Sequence, residues 1–195
     1  MGKIYYMMGK SASGKDTLYK EIRERCPELK PVTLYTTRPI RDGEVNGVNY
    51  FFVTKDILDK YEQQGKVIEL RTYPSVHGDW HYATLDDGQV DLAGNDYIIQ
   101  GTPESYQKMK EYYGEENLFP VYIEVEDGER LKRALARELS QEKPKYEEMC
   151  RRFLADQKDF SEENLFAAGI TRRFINADKA QCLEEILGEI RDGKF

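Results

Sequence analysis

The first hydrophobic signal in the chain is a short run, Ile4-Tyr5-Tyr6-Met7-Met8, that stops at Gly9. Its length and its glycine boundary predict a strand from Lys3 to Met8 that is buried on both faces. The period then changes. Between Lys15 and Cys26, Leu18, Ile22 and Cys26 recur every fourth residue, which predicts a helix. Glu21 can pair with Arg25 on its surface, and Pro27 ends it. Residues 31–90 follow neither pattern for long. They hold short alternating or aromatic runs such as Asn49 to Val53, and one helix from Lys55 to Gln64 between an N-cap at Thr54 and a stop at Gly65. Asp86-Asp87-Gly88 marks a turn.

Regular alternation then returns. Asp96 to Gln100 reads as a strand. Thr102 caps a helix with Pro103 in its first turn and Tyr106, Met109 and Tyr113 inward. Val121 to Val125 is the next strand, followed by a helix carrying Leu131, Leu135 and Leu139. Tyr146, Met149, Cys150 and Phe153 mark one face of a further helix. Arg173 to Asn176 is a last strand, and Leu183, Ile186, Leu187 and Ile190 line the closing helix. Strands alternating with helices predict a three-layer α/β fold with a parallel sheet, interrupted by an inserted lobe.

Composition narrows the choice. The chain has 195 residues, 39% hydrophobic and 33% charged, which suits one globular domain. No apolar stretch is long enough to cross a bilayer, and the first run is too short for a signal peptide. A cytoplasmic protein is expected. The net charge of −7 argues against nucleic-acid binding but leaves room for a small anion held by a few gathered arginines. Cys26, Cys150 and Cys182 are far apart, show no metal spacing, and are expected to be reduced core thiols.

Between the first strand and the first helix stands Gly9-Lys10-Ser11-Ala12-Ser13-Gly14-Lys15-Asp16-Thr17. Two glycines bracket four residues and a lysine follows, which is the spacing of a P-loop. Glycines let the backbone N–H groups turn inward, and the helix N-terminus adds partial positive charge. Lys15 reaches the outer phosphates of a nucleoside triphosphate such as ATP. The position after the lysine usually carries a Ser or Thr that binds magnesium. Here it is Asp16, which is either a magnesium ligand or a favourable first-turn charge.

The second substrate must be read elsewhere. In Tyr35-Thr36-Thr37-Arg38-Pro39-Ile40-Arg41-Asp42-Gly43-Glu44, continuing to Val53, two arginines are spaced to grip one phosphate, and Tyr50 can add a hydroxyl. This stretch resembles the guanylate kinase family, and weaker similarity continues towards the C-terminus. The resemblance implies magnesium-dependent transfer of the terminal phosphoryl group of ATP to GMP, and to dGMP. Arg38, Arg41 and Tyr50 would hold the GMP phosphate, and Glu69 in Lys66-Val67-Ile68-Glu69 would read the guanine edge. Tyr82 and Thr84, within His77-Gly78-Asp79-Trp80-His81-Tyr82-Ala83-Thr84, match a tyrosine and a hydroxyl that contact the nucleotide. Trp80 reads as core or as a stacking neighbour. Two departures stand out. Leu34 occupies the place of a serine that touches the base, and Ile98-Ile99-Gln100-Gly101 lacks the family's acid before Gln-Gly.

Arg130, Arg133 and Arg137 share one side of their helix, away from Leu131 and Leu135. Arginines near these places, and near Arg151 and Arg152, close over the moving phosphoryl group in the family, so Lys15, Arg137 and Arg152 are the expected catalytic residues. Asn176 resembles an asparagine near the adenine. The expected division is a core of residues 1–32, 91–137 and 151–195, a GMP-binding lobe of 33–90, and a lid of 138–150. A monomer or homodimer is expected. Two other readings share this frame: a P-loop kinase with a different phosphorylated acceptor, and a non-catalytic protein-binding module, which Lys15, Gly9 and Gly14 argue against.

Overall fold

A computed structural model describes residues 2–41, 43–75 and 78–192. Two sheets organise it. The larger is parallel throughout, in the order β2 (Lys30–Pro31), β7 (Tyr97–Gly101), β1 (Ile4–Met8), β8 (Leu118–Glu124) and β9 (Phe174–Ile175). The expected first strand thus becomes the middle of the sheet, paired on both edges, and all five of its residues are buried.

Side chains alternate across a strand. Ile4, Tyr6 and Met8 enter one core with Tyr106 and Met109 of α3 (Pro103–Tyr113) and Leu165 of α6 (Glu162–Ala167). Tyr5 and Met7 enter another with Leu18 and Ile22 of α1 (Lys15–Arg25) and Leu183, Ile186 and Leu187 of α7 (Lys179–Asp192). One strand therefore feeds two apolar layers, and this makes the fold three-layered. Burial pushes the Tyr5 phenol up to about 12, with Asp96 adding to the shift. Thr102 caps α3 as expected, accepting from the Ser105 amide while the Ser105 side chain returns to the Thr102 backbone.

The second sheet, in the order β4 (Phe51–Phe52), β3 (Tyr35–Thr36), β6 (Gly78–Leu85) and β5 (Val67–Ser75), comes wholly from the irregular block of the sequence. Its own small core is Tyr35, Leu58, Ala83 and Leu85, with Leu58 supplied by α2 (Lys55–Gln63). The long β5–β6 hairpin lies outside the sequence expectation because charged residues interrupt its apolar positions, and β2 and α6 because they span only 2 and 6 residues.

Three expectations are corrected. The leucine stripe of α4 (Asp127–Leu139) faces solvent, with Leu131, Leu135 and Leu139 39%, 43% and 64% exposed, while Arg130, Ala134 and Glu138 are buried. Ion pairs around Arg130, rather than apolar contact, fix this face. Cys26 and Cys182 are buried, but Cys150 is exposed on α5 (Tyr146–Asp159), a helix with no buried residue. Glu21 and Arg25 do not pair with each other. Each reaches across to α7, Glu21 to Lys179 and Arg25 to Glu184.

Candidate active site

The P-loop is shaped by its own residues. Ala12 and Gly14 both adopt left-handed φ, +63° and +85°. A Cβ at Gly14 would stand 2.5 Å from Asn176 Nδ2, and one at Gly9 would stand 2.7 Å from Ser13 Oγ and 2.9 Å from the Ile123 carbonyl oxygen. The glycines at both ends are thus required sterically. Asn176 lies behind the loop rather than along the cleft. It is buried and donates to the Ser13 carbonyl at 2.7 Å, while its own carbonyl accepts from Arg133.

The loop borders a cleft of about 620 Å³. Gly9, Lys10, Ser11, Ala12, Ser13, Gly14, Lys15, Asp16 and Thr17 form one wall. Lys15 Nζ donates to Asp16 Oδ1 at 2.6 Å and to Gln100 Oε1 at 2.9 Å. The Lys15 charge, followed by its hydrogen bond and by Arg137, holds the Asp16 carboxyl below its ordinary value against desolvation. Asp16 is 86% exposed and stands beside Thr17 at the start of α1. A carboxylate, a hydroxyl and nucleotide phosphate oxygens are a suitable oxygen set for magnesium. Among the described residues, no cluster of three His, Cys, Asp or Glu could hold a metal unaided.

Basic side chains also line the cleft. Arg41, Arg133, Arg137, Arg151 and Arg152 all border the cleft. Arg151 is bound by Glu148 at 2.7 Å, and Arg133 by Glu129 at 3.0 Å. Arg41 and Arg137 have no ion pair among the described residues. Burial, with the neighbouring charges of Arg137 and Arg41, pushes Arg152 below its ordinary value, although Glu148 opposes this at 3.5 Å. Its Nε is buried and has no hydrogen-bond partner among the described residues. Three cations brought together in this way raise the positive potential of the cleft.

Arg38 is positioned differently from Arg41. Its side chain is 3% exposed and forks onto Glu44, with Nη2 to Oε1 at 2.7 Å and Nη1 to Oε2 at 3.0 Å. Its Nε donates to the Tyr82 hydroxyl at 3.1 Å, and Tyr50 and Phe52 lie against the guanidinium at 5.6 Å. The same Glu44 accepts from the Arg41 amide at 2.8 Å, so a single carboxylate fixes both arginines of the motif. Tyr50 and Tyr82 meet edge to face at 5.7 Å and border the cleft. Trp80 also borders it, half-buried, and is therefore not a core residue. Glu69 and Thr84 are buried beneath this wall, joined by a 2.8 Å hydrogen bond. His77 and Asp42, both quoted above in sequence motifs, lie outside the described residues.

The sequence model of the guanylate kinase family matches residues 1–187. The chain belongs to the guanylate kinase family. Similar proteins include the guanylate kinase of Geobacter metallireducens (strain ATCC 53774 / DSM 7210 / GS-15), 31% identical over 137 residues, 69% of this chain and 64% of that one. Those of Bifidobacterium longum (strain NCC 2705) and Mycobacterium sp. (strain MCS) are 33% and 34% identical, over 63% and 54% of this chain and 62% and 59% of theirs. The chain thus spans roughly three fifths of the length of these curated relatives. The crystal structure of the guanylate kinase from Anaplasma phagocytophilum aligns with a TM-score of 0.69 at 16% identity, covering all of this chain and 87% of that one, and shows the same P-loop fold.

Within this guanylate kinase fold, two residues that line the cleft, Asp156 and Arg71, escaped the sequence reading. Asp156 of α5 accepts from the Ser11 amide at 2.7 Å and from Arg130 Nη2 at 3.1 Å, while Arg130 Nε donates to the Ser11 carbonyl at 3.0 Å. The P-loop is thus tied to α4 and α5 through one buried arginine. Arg71 also borders the cleft. The available signal was period two: Glu69, Arg71 and Tyr73 point inward while Leu70 and Thr72 point out, a strand whose charges are buried and whose leucine is not. No helix among the described residues is long and apolar enough to cross a membrane.

Proposed function

We propose that the chain transfers the γ-phosphoryl group of ATP to GMP, and to dGMP, giving ADP and the nucleoside diphosphate. One observation carries this reading. The P-loop and the cations Arg41, Arg137 and Arg152 border a single cleft, so two anions can be held facing each other there. Phosphoryl transfer asks little more of a protein than in-line positioning and charge stabilisation. In this reading Gly9, Ser11, Ala12, Ser13, Gly14 and Thr17 cradle ATP, with Asn176 supporting the loop from behind. Lys15 stabilises the moving group, and Arg137 and Arg152 neutralise charge as it passes. Arg38, Arg41, Tyr50 and Tyr82 hold the acceptor, with Glu69 and Thr84 beneath the base. Magnesium, held by Asp16 together with ATP, would neutralise phosphate charge.

The division into core, acceptor lobe (33–90) and lid (138–150) belongs to the same proposal, as do a cytoplasmic location and a monomeric or homodimeric state. A coupled ADP-release assay with GMP, dGMP, AMP, CMP and UMP tests the reaction. GMP and dGMP are expected to dominate, and Lys15→Ala to lower kcat at least about 100-fold. Turnover of GMP no better than of the other monophosphates overturns the reading.

A further inference from the structure

The Glu69 carboxylate is already occupied. Its Oε2 accepts from Arg71 Nε at 2.9 Å, and its Oε1 accepts from Arg71 Nη2 at 3.3 Å and Thr84 Oγ1 at 2.8 Å. Its side chain is 1% exposed. Neither Glu69 nor Thr84 borders the cleft, but Arg71 does, alongside Leu34, Tyr73 and Thr102. At this end of the cleft the sequence places Leu34 where a hydroxyl is expected, and the strand leading into Gln100-Gly101, where an acid is expected, carries Ile98 and Ile99, both fully buried in the core.

Arg71 is the charged side chain that lines the cleft together with Leu34. A guanidinium carries five N–H donors. Nε and Nη2 each give one to Glu69, and Nη1 gives one to Thr102 Oγ1 at 3.2 Å. Tyr73 shares a further side-chain hydrogen bond with Arg71, so one Nη hydrogen remains on a side chain that borders the cleft. Burial works against the Arg71 charge, but Glu69, Tyr6 and Tyr73 outweigh it and raise the guanidinium above its ordinary value, so the donors stay charged. A donor at this place calls for an acceptor on the ligand.

Resting on the phosphoryl-transfer reading above, we infer that Arg71 determines base specificity by donating to the ring carbonyl of a 6-oxopurine monophosphate, the O6 of guanine. Glu69 is then a positioning residue, which fixes the plane of the guanidinium. A base with an amino group at that carbon turns hydrogens towards the guanidinium and is rejected.

The test changes one atom. Wild type and Arg71→Met are assayed with GMP and with 6-thio-GMP, whose sulfur is a poor acceptor at the same position. Wild type is expected to favour GMP in kcat/KM by about 10- to 100-fold, the scale of one charge-assisted hydrogen bond. In Arg71→Met that ratio is expected to collapse towards one, chiefly through the KM for GMP. A ratio that survives in Arg71→Met while both rates fall overturns the assignment, because the arginine then acts only through Glu69. Arg71→Lys keeps a cation against Glu69 but cannot fork. It serves if the methionine variant does not fold, and the same collapse is expected. The ratio compares two substrates on one enzyme, so a reduced folded fraction does not move it. No turnover of GMP by wild type defeats the phosphoryl-transfer reading itself, and the inference with it.

Discussion

At the scale of single residues, Glu44 repays the closest look. Arg38 was legible as an arginine of the acceptor motif, but its partner was not, since a glutamate six residues on in a loop carries no periodic signal. The carboxylate binds the Arg38 fork and the Arg41 amide together. The Arg38 hydrogen bond holds the Glu44 carboxyl below its ordinary value, helped by Arg41 and opposed by burial. A depressed carboxyl contributes stability that is complete above its unfolded pKa, near 4.3, and is lost as pH falls through the folded value. Glu44→Gln is therefore expected to lower the unfolding free energy by about 1–3 kcal/mol at pH 7, with the gap to wild type closing as pH falls below about 4. Urea titrations at the two pH values check this, and a gap that does not depend on pH refutes the link. Arg71 was hidden from the sequence for a similar reason: its role depends on Glu69, Thr84 and Thr102, and the last two belong to other elements.

At the scale of elements, local determinants read well and mutual ones did not. The P-loop, the capped start of α3 and the four-residue period of α1 are written in adjacent residues, and the structure has them where expected. For α4 the period was right but the direction was not. Arg130 is 1% exposed, pairs with Asp127 at 2.5 Å and Asp156 at 3.1 Å, and lies against Phe153, so the polar side of the helix turns inward. Leu135→Lys is accordingly expected to change stability by less than about 0.5 kcal/mol. Arg130→Met, which strands Asp156 against the P-loop, is expected to cost about 3–5 kcal/mol. Chemical denaturation of the two variants decides between them, and equal losses would mean that the leucine face is covered in solution.

At the scale of the molecule, the two sheets are unequal. The parallel sheet lies between two extensive apolar layers, while the second sheet rests on a small core around Leu58. Local opening follows buried apolar contact. Hydrogen exchange is expected to be slowest in β1, β7 and β8, and at least about 10-fold faster in β3 to β6. Uniform protection would instead indicate one cooperative unit. The overall architecture was legible because alternating periods survive along most of the chain. The β5–β6 hairpin was not, because charges occupy its inward positions.

The placement of β1 also limits how such a protein can change. Its odd and even residues are committed to opposite layers, and the P-loop begins at its last peptide. A one-residue register shift of β1 would exchange the two interiors wholesale, so the P-loop end of the cleft has nowhere to drift. The wall carried on the β5–β6 hairpin can be re-lettered one side chain at a time. New binding preferences should therefore arise in residues 67–85 and leave the P-loop end untouched.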